Sequence, residues 1–131
     1  MHDVGRSIEE ILAAARRRLT RLDPADAHAA MRTGAMLVDI RSAAQRMAQG
    51  LVPGGLHIER TVLEWRLDPR SDARIPQATG YDMQVIVMCA EGYSSSLAAA
   101  SLHDLGLHRA TDMVGGFLAW AQAELPILPA V

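Results

Sequence analysis

The sequence predicts an α/β fold built on a parallel sheet. Three observations carry that prediction. Short apolar runs at residues 35–40, 84–88 and 110–114 alternate with stretches of helical pattern, the arrangement that a parallel sheet with crossover helices requires. The first two are apolar over most of their length, Ala35 to Val38 and Val85 to Met88, as strands covered on both faces are. No internal repeat or linker divides the 131 residues, a length that suits one domain with its own core.

Each element follows from local chemistry. Ser7 stands before Ile8 and reads as an N-cap, with Glu10 three residues on to close a capping box. Ile8, Ile11, Leu12, Ala15 and Leu19 share one face of this first helix. Arg16, Arg17 and Arg18 lie towards its end, where cations suit the helix dipole, and read as a solvated face. Asp23 and Pro24 start a second helix, with Ala27, Ala30 and Met31 on its apolar side and Gly34 at its end. Residues 35–40 form a buried strand closed by Asp39, and a short helix over 43–49 stops at Gly50. Residues 52–55 turn, 56–58 make a short strand and 61–66 make one or two helical turns. Residues 67–82 hold Pro69, Pro76, Gly80 and five charges, which predicts a surface loop. The clearest strand, 84–88, runs through residues 89–96 into a helix over 97–105 ended by Gly106. A last strand at 110–114 turns at Gly115 and Gly116 into a helix carrying Phe117, Leu118, Trp120 and Ala121, and Pro126 and Pro129 close the chain. Trp65, Phe117 and Trp120 read as core or cover aromatics.

Composition removes whole classes of function. Lys and Arg number 13 against 15 Asp and Glu, a net charge of −2, which argues against a nucleic-acid binder held by phosphate neutralisation. All 13 basic residues are Arg, which excludes Schiff-base lysine chemistry and a lysine-dependent phosphate loop. The longest apolar run, residues 85–90, is far short of a membrane span. The opening residues 1–6 carry charge and lack the apolar stretch of a signal peptide, so a soluble cytoplasmic protein is expected. His57, His103 and His108 form no metal-ligand spacing, and no metal or cofactor is implied. One cysteine excludes an internal disulfide and a multi-cysteine zinc site. It leaves a buried inert thiol, an intermolecular link or a reactive nucleophile.

The position of Cys89 weighs towards the nucleophile. It ends a strand and precedes a helix by a few residues, and ligands in open α/β sheets bind beyond the carboxyl ends of strands. The next helix aims its free N–H groups at the same place, and a tight loop there makes an anion nest. Gly92 permits a positive φ, and Ser94, Ser95 and Ser96 offer caps or hydroxyl donors. A free thiol with a pKa near 8.5 is only about 3% thiolate at pH 7. Lowering it by roughly 2 units makes about three-quarters thiolate, for about 2.7 kcal/mol of anion stabilisation. That is within reach of several amides and a helix end, and no histidine or carboxylate base is then required.

Four segments together resemble a single-domain rhodanese, a family of sulfurtransferases: Leu37-Val38-Asp39-Ile40-Arg41, residues 52–58, the loop from Cys89 to Ser94, and residues 115–120. Their order and spacing match over roughly residues 22–128. The resemblance implies a five-stranded parallel sheet flanked by helices on both faces. It implies a rhodanese-like domain over 22–131 and an N-terminal helical extension over 1–21, which either caps the domain or pairs with a partner. The family's six-residue active loop falls on Cys89, Ala90, Glu91, Gly92, Tyr93 and Ser94, with Ser95 beside it. By resemblance, Cys89 takes a sulfane sulfur from thiosulfate or a related persulfide donor and passes it, as a persulfide, to cyanide or a thiol. Asp39 and Arg41 then form supporting pairs beside the loop, and Glu91 and Tyr93 point outward at its rim. Many members end the loop with Arg where this chain has Ser94, and Arg41, Arg60 and Arg66 are the candidates to replace that charge. A phosphatase loop has Cys, five residues, then Arg; here that position is Ser95. The alternative from another class is a non-catalytic or weakly active binding or regulatory module on the same fold.

Overall fold

In the computed structural model, which describes residues 5–130, the elements run in the expected alternation. They are α1 (Ile8–Arg17), α2 (Pro24–Met31), β1 (Met36–Asp39), α3 (Ala43–Gln49), β2 (Leu56–His57), α4 (Leu63–Leu67), β3 (Val85–Met88), α5 (Ser94–Asp104), β4 (Thr111–Asp112) and α6 (Gly116–Gln122), with a 3-10 turn at Arg60–Val62 before α4. Residues 1–4, on which the argument against a signal peptide partly rests, lie outside the described residues. The Ser7 capping box forms, with the Glu10 amide donating to Ser7 Oγ at 3.1 Å and the Ser7 amide to Glu10 Oε1 at 2.8 Å. Among the described residues no helix is long and apolar enough to cross a membrane.

The sheet is parallel, in the order β2-β1-β3-β4. It has four strands where the resemblance implies five. The fifth place is a single parallel bridge, Leu22 to Met113, at the β4 edge. Its shortness has a local cause. Pro24 follows two residues later, brings no N–H and opens α2, so the strand cannot lengthen.

Period-two alternation sends strand side chains to two cores. Val38, Val85 and Val87 pack with Leu63 and Leu67 of α4 and with Ala98, Ala99 and Leu102 of α5. Leu37, Ile86 and Met88 pack with Ala27 of α2 and with Phe117 and Trp120 of α6. Both faces of β3 are therefore covered, which is why its four residues are all apolar. The loop over 67–82 is pinned by buried Ile75 and Ala78, with the Ile75 amide donating to the Arg66 carbonyl at 2.9 Å.

Two sequence expectations need correction here. Trp65 is 61% exposed, not a core aromatic. The short α4 buries Leu63 and Leu67 at i and i+4, and a residue at i+2 faces away from that stripe. The arginine run is not uniformly solvated either. Arg17 is exposed and Arg18 pairs with Asp104 at 2.6 Å, but Arg16 reaches the loop that follows β3.

Candidate active site

The strand order creates the site. The chain leaves β1 for β2 on one side, then crosses back to β3 on the other. At such a switch point the connections diverge and leave a crevice beyond the carboxyl ends of the two strands. A cavity of about 410 Å³ occupies that crevice. Ile40 and Arg41 enter it from the end of β1, Gln45 and Gln49 from α3, and Cys89, Ala90, Glu91, Tyr93 and Ser94 from the loop after β3. A smaller hollow of about 250 Å³, between β1 and the C-terminal tail, contains no thiol among its lining residues.

Cys89 is 7% exposed and follows directly on β3. Its backbone is held from above: its carbonyl accepts from Phe117 N–H at 2.9 Å and that of Ala90 from Leu118 N–H at 3.1 Å. The loop then curls so that the Gly92 amide donates to Cys89 Sγ at 3.1 Å. Gly92 adopts φ +86°, and a Cβ there would lie 2.7 Å from the Gly115 nitrogen. Gly116 lies just as close, since a Cβ on it would collide with the Cys89 carbonyl. Bare backbone packs on bare backbone because a side chain on either glycine would push the two loops apart.

Burial pushes the Cys89 thiol up, but hydrogen bonds from the Ser95 and Ser94 side chains and from the Ser95 and Gly92 amides outweigh it. The thiol consequently sits below its ordinary value, and the thiolate is favoured. The Ser95 hydroxyl has one proton and two acceptors within reach. It donates to Asp112 Oδ2 at 2.7 Å, a short charge-assisted bond, which leaves the amides and Ser94 as the steadier donors to sulfur. Ser95 and Ser96 therefore do not cap α5. The helix begins at Ser94 rather than residue 97, its N-cap is Tyr93, and no side chain caps it. Backbone serves instead: the Ser95 amide turns to the sulfur and the Ser96 amide donates to the Tyr93 carbonyl at 3.1 Å.

Asp39 and Arg41 form a closed unit beside the loop. Arg41 Nε and Nη2 donate to the Asp39 carboxylate at 3.0 and 2.7 Å, Nη1 donates to Gln49 at 3.0 Å and Nη2 to the Gly50 carbonyl at 2.7 Å. The guanidinium lies 4.0 Å from the centre of the Phe117 ring. Its charge is spent inside the protein. Arg60 pairs with Glu64 and Arg66 bonds the Ala73 carbonyl, so neither replaces a loop arginine at the cavity. Glu91 and Tyr93 are exposed at the rim, as expected. The long loop over 67–82 stays clear of this cavity.

The comparisons with known proteins agree with this geometry. The family model for the rhodanese-like domain matches residues 23–123. The chain belongs to the rhodanese-like family. It is 33% identical over 106 residues to thiosulfate sulfurtransferase GlpE of Haemophilus influenzae (strain PittEE), covering 81% of this chain and 91% of that one. A sulfurtransferase of Allochromatium vinosum is 34% identical over 93 residues, covering 71% and 78%. Among solved structures, a Rhodopseudomonas palustris CGA009 protein of unknown function, named as a possible tyrosine phosphatase, superposes with a TM-score of 0.85 at 32% identity over 97% of this chain and 98% of that one.

Within this rhodanese-like site, three residues were missed by sequence reasoning. Asp112, at the end of β4, is fully buried and accepts from Ser95, Ser96 and Arg21. Its signal was available: like Asp39, it is an acid closing a short apolar strand. Arg16 and Arg21 both donate to the Gly92 carbonyl, at 2.8 and 3.1 Å. They precede the matched span, and a five-residue separation across a helix end marks no common face in a sequence.

Proposed function

We propose that this chain is a sulfurtransferase that moves a sulfane sulfur from thiosulfate or a related persulfide donor to a thiophilic acceptor through a persulfide on Cys89. The observation that carries the reading is the Cys89 thiol in its cradle, with Gly92 N–H on the sulfur at 3.1 Å. The names of the relatives, thiosulfate sulfurtransferase and sulfurtransferase, support the same chemistry. The Cys89 thiolate attacks the outer sulfur of thiosulfate; the S–S bond of the donor breaks and sulfite leaves with its electron pair. A sulfur–sulfur bond now joins Cys89 to an anionic terminal sulfur. In this reading the amides of Glu91 and Tyr93, which donate to no other backbone group among the described residues, hold that anion. Cyanide or a thiolate then attacks the terminal sulfur, and Cys89 leaves as thiolate.

A phosphatase reading of the same loop lacks support. Phosphoryl transfer needs charge stabilisation on three equatorial oxygens, and the loop from Cys89 to Ser95 contains no cation and one carboxylate, Glu91. In this reading Cys89 is catalytic; Ala90, Glu91, Gly92, Tyr93, Ser94 and Ser95 bind the donor and the persulfide; Asp39 and Arg41 support them. Residues 22–131 are the sulfurtransferase unit and residues 1–21 an extension to it. A thiol that works as a thiolate is best kept in a reducing compartment, which supports the cytoplasm.

The test is intact mass. Incubation with thiosulfate adds one sulfur atom to the protein, and cyanide removes it with release of thiocyanate. Cys89→Ser shows neither. A wild-type chain that no donor loads would leave the binding-module reading in its place.

A further inference from the structure

The loop that holds Cys89 has no positive charge of its own, and Arg41, the guanidinium in its cavity, is neutralised by Asp39. Behind the loop the balance is different. Arg16 and Arg21 both reach the Gly92 carbonyl, and Arg21 is paired with Asp112 at 2.8 Å. Arg16 Nε donates to Ser96 Oγ at 3.0 Å, and its guanidinium lies 5.6 Å from the centre of the Tyr93 ring. Among the described residues Arg16 forms no ion pair. Two guanidiniums against one carboxylate leave one positive charge beneath the loop.

The contact also sets the direction of a peptide group. A trans peptide points its C=O and N–H to opposite sides. With the Gly92 carbonyl drawn back onto two arginines, the Tyr93 N–H points away from them, and it donates to no other protein group among the described residues. A carbonyl that accepts from cations also polarises its own peptide and strengthens that N–H as a donor.

We propose that Arg16 is a positioning residue for Cys89: from α1, outside the family span, it supplies the charge that the loop lacks and holds the Gly92–Tyr93 peptide so that the Gly92 amide stays on the sulfur and the Tyr93 N–H is left unpaired to serve the anion. The anion it serves is the thiolate and, on the sulfurtransferase reading, the persulfide. The other charged or titratable groups around the sulfur are Asp39 at the end of β1 and Arg41 just after it, Asp112 from β4, Arg21 from the segment after α1, and Glu91 and Tyr93 of the loop itself.

The expected effect follows from distance. The Gly92 residue bridges Arg16 and Sγ, which places the guanidinium within about 10 Å of the sulfur by standard backbone dimensions. At an effective dielectric near 20, a unit charge at that range moves a thiol by about one pH unit. The experiment is iodoacetamide alkylation of the single thiol as a function of pH, with thermal melting alongside. In Arg16→Gln, which keeps a donor and removes the charge, the alkylation midpoint rises by about one pH unit, and alkylation well below the midpoint slows about tenfold. Arg16→Lys shifts the midpoint by less than half as much, and Arg17→Gln, an exposed neighbour on the same helix, leaves it in place. Arg16→Met is the second neutral variant should Arg16→Gln not fold.

An unmoved midpoint in the neutral variant overturns the proposal. So does a Lys variant that shifts as far as Gln, because packing rather than charge is then at work, and so does an Arg17→Gln shift of the same size. Alkylation needs no sulfur donor, so a chain that alkylates as expected but never gains sulfur would sink the transferase reading and leave this inference standing.

Discussion

Removing the carboxylate of Asp39 should be the most damaging single change outside the Cys89 loop. Asp39 Oδ1 accepts from the Arg41 amide and from Arg41 Nε, both at 3.0 Å, and Oδ2 accepts from Nη2 at 2.7 Å. The Arg41 side chain is fully buried. Asp39→Ala therefore strands a buried guanidinium with only Gln49 and the Gly50 carbonyl as partners. Breaking a buried pair from one side costs about 3–5 kcal/mol, against a typical domain stability of about 5–15 kcal/mol. For a chain of this size, each kcal/mol moves Tm by roughly 3–4 °C, so melting should fall by about 10–20 °C. Function should follow, because Arg41 also stacks on Phe117, whose amide holds the Cys89 carbonyl. The assay is guanidinium unfolding of Asp39→Ala, Arg41→Met and the double variant, with sulfur loading measured on each. The double variant should be more stable than the two single losses added together, by about 1–3 kcal/mol. A cost below about 1 kcal/mol for Asp39→Ala, or strict additivity in the cycle, would refute the claim that the pair is a closed buried unit.

Two further outcomes are expected. Gly92→Ala asks a side chain to adopt φ +86° and to sit 2.7 Å from backbone that cannot swing aside; the left-handed conformation alone costs about 1–2 kcal/mol. Its melting temperature should drop and thiosulfate loading should slow at least tenfold, whereas wild-type loading in this variant would mean the loop does not need its present curl. The lowered Cys89 thiol also predicts a pH-dependent stability. Its folded-state value lies below the unfolded one, near 8.5, so between the two the unfolded chain holds the extra proton and stability rises with pH. The contribution is fully present above the unfolded value and is lost as pH falls through the folded one. The stability gap between wild type and Cys89→Ser, followed by chemical unfolding from pH 6 to 9, should therefore move in favour of wild type as pH rises, and a flat difference would contradict a thiol lowered by its hydrogen bonds.

The parts of this molecule that were legible in advance are those fixed by near neighbours or by burial. The Ser7–Glu10 box, the Asp23-Pro24 helix start and the buried β3 all follow from patterns a few residues long. Cys89 was legible because strand, glycine, serine run and helix occur in order. The Asp39–Arg41 pair was legible because its members are two residues apart. The fifth strand was not, because a single bridge at Leu22 has no pattern of its own. Trp65 was misread because hydrophobicity alone does not say which side of a one-turn helix is covered. The start of α5 was misread because serines at a helix start usually cap it, and here Asp112, distant in sequence, draws the Ser95 and Ser96 hydroxyls away.

The same distance explains why the charge behind the loop was invisible. Arg16 stands in a run of three arginines, and only the packing of α1 on α5 decides which of them meets the Gly92 carbonyl, 76 residues away. The single cysteine then limits what that arrangement does. A persulfide formed on Cys89 has no second thiol in the chain to attack it, so the sulfur leaves only to an acceptor that enters the cavity from outside. On the sulfurtransferase reading, the positive charge beneath the loop would hold the terminal sulfur as an anion without blocking that approach, because it acts through the Gly92 carbonyl from the far side. Glu91 and Tyr93, exposed on the near side, are then the groups an incoming acceptor meets first. Exchanging Glu91 for Gln removes a like charge at the rim and should speed persulfide discharge to anionic acceptors, and an unchanged rate would take Glu91 out of that role.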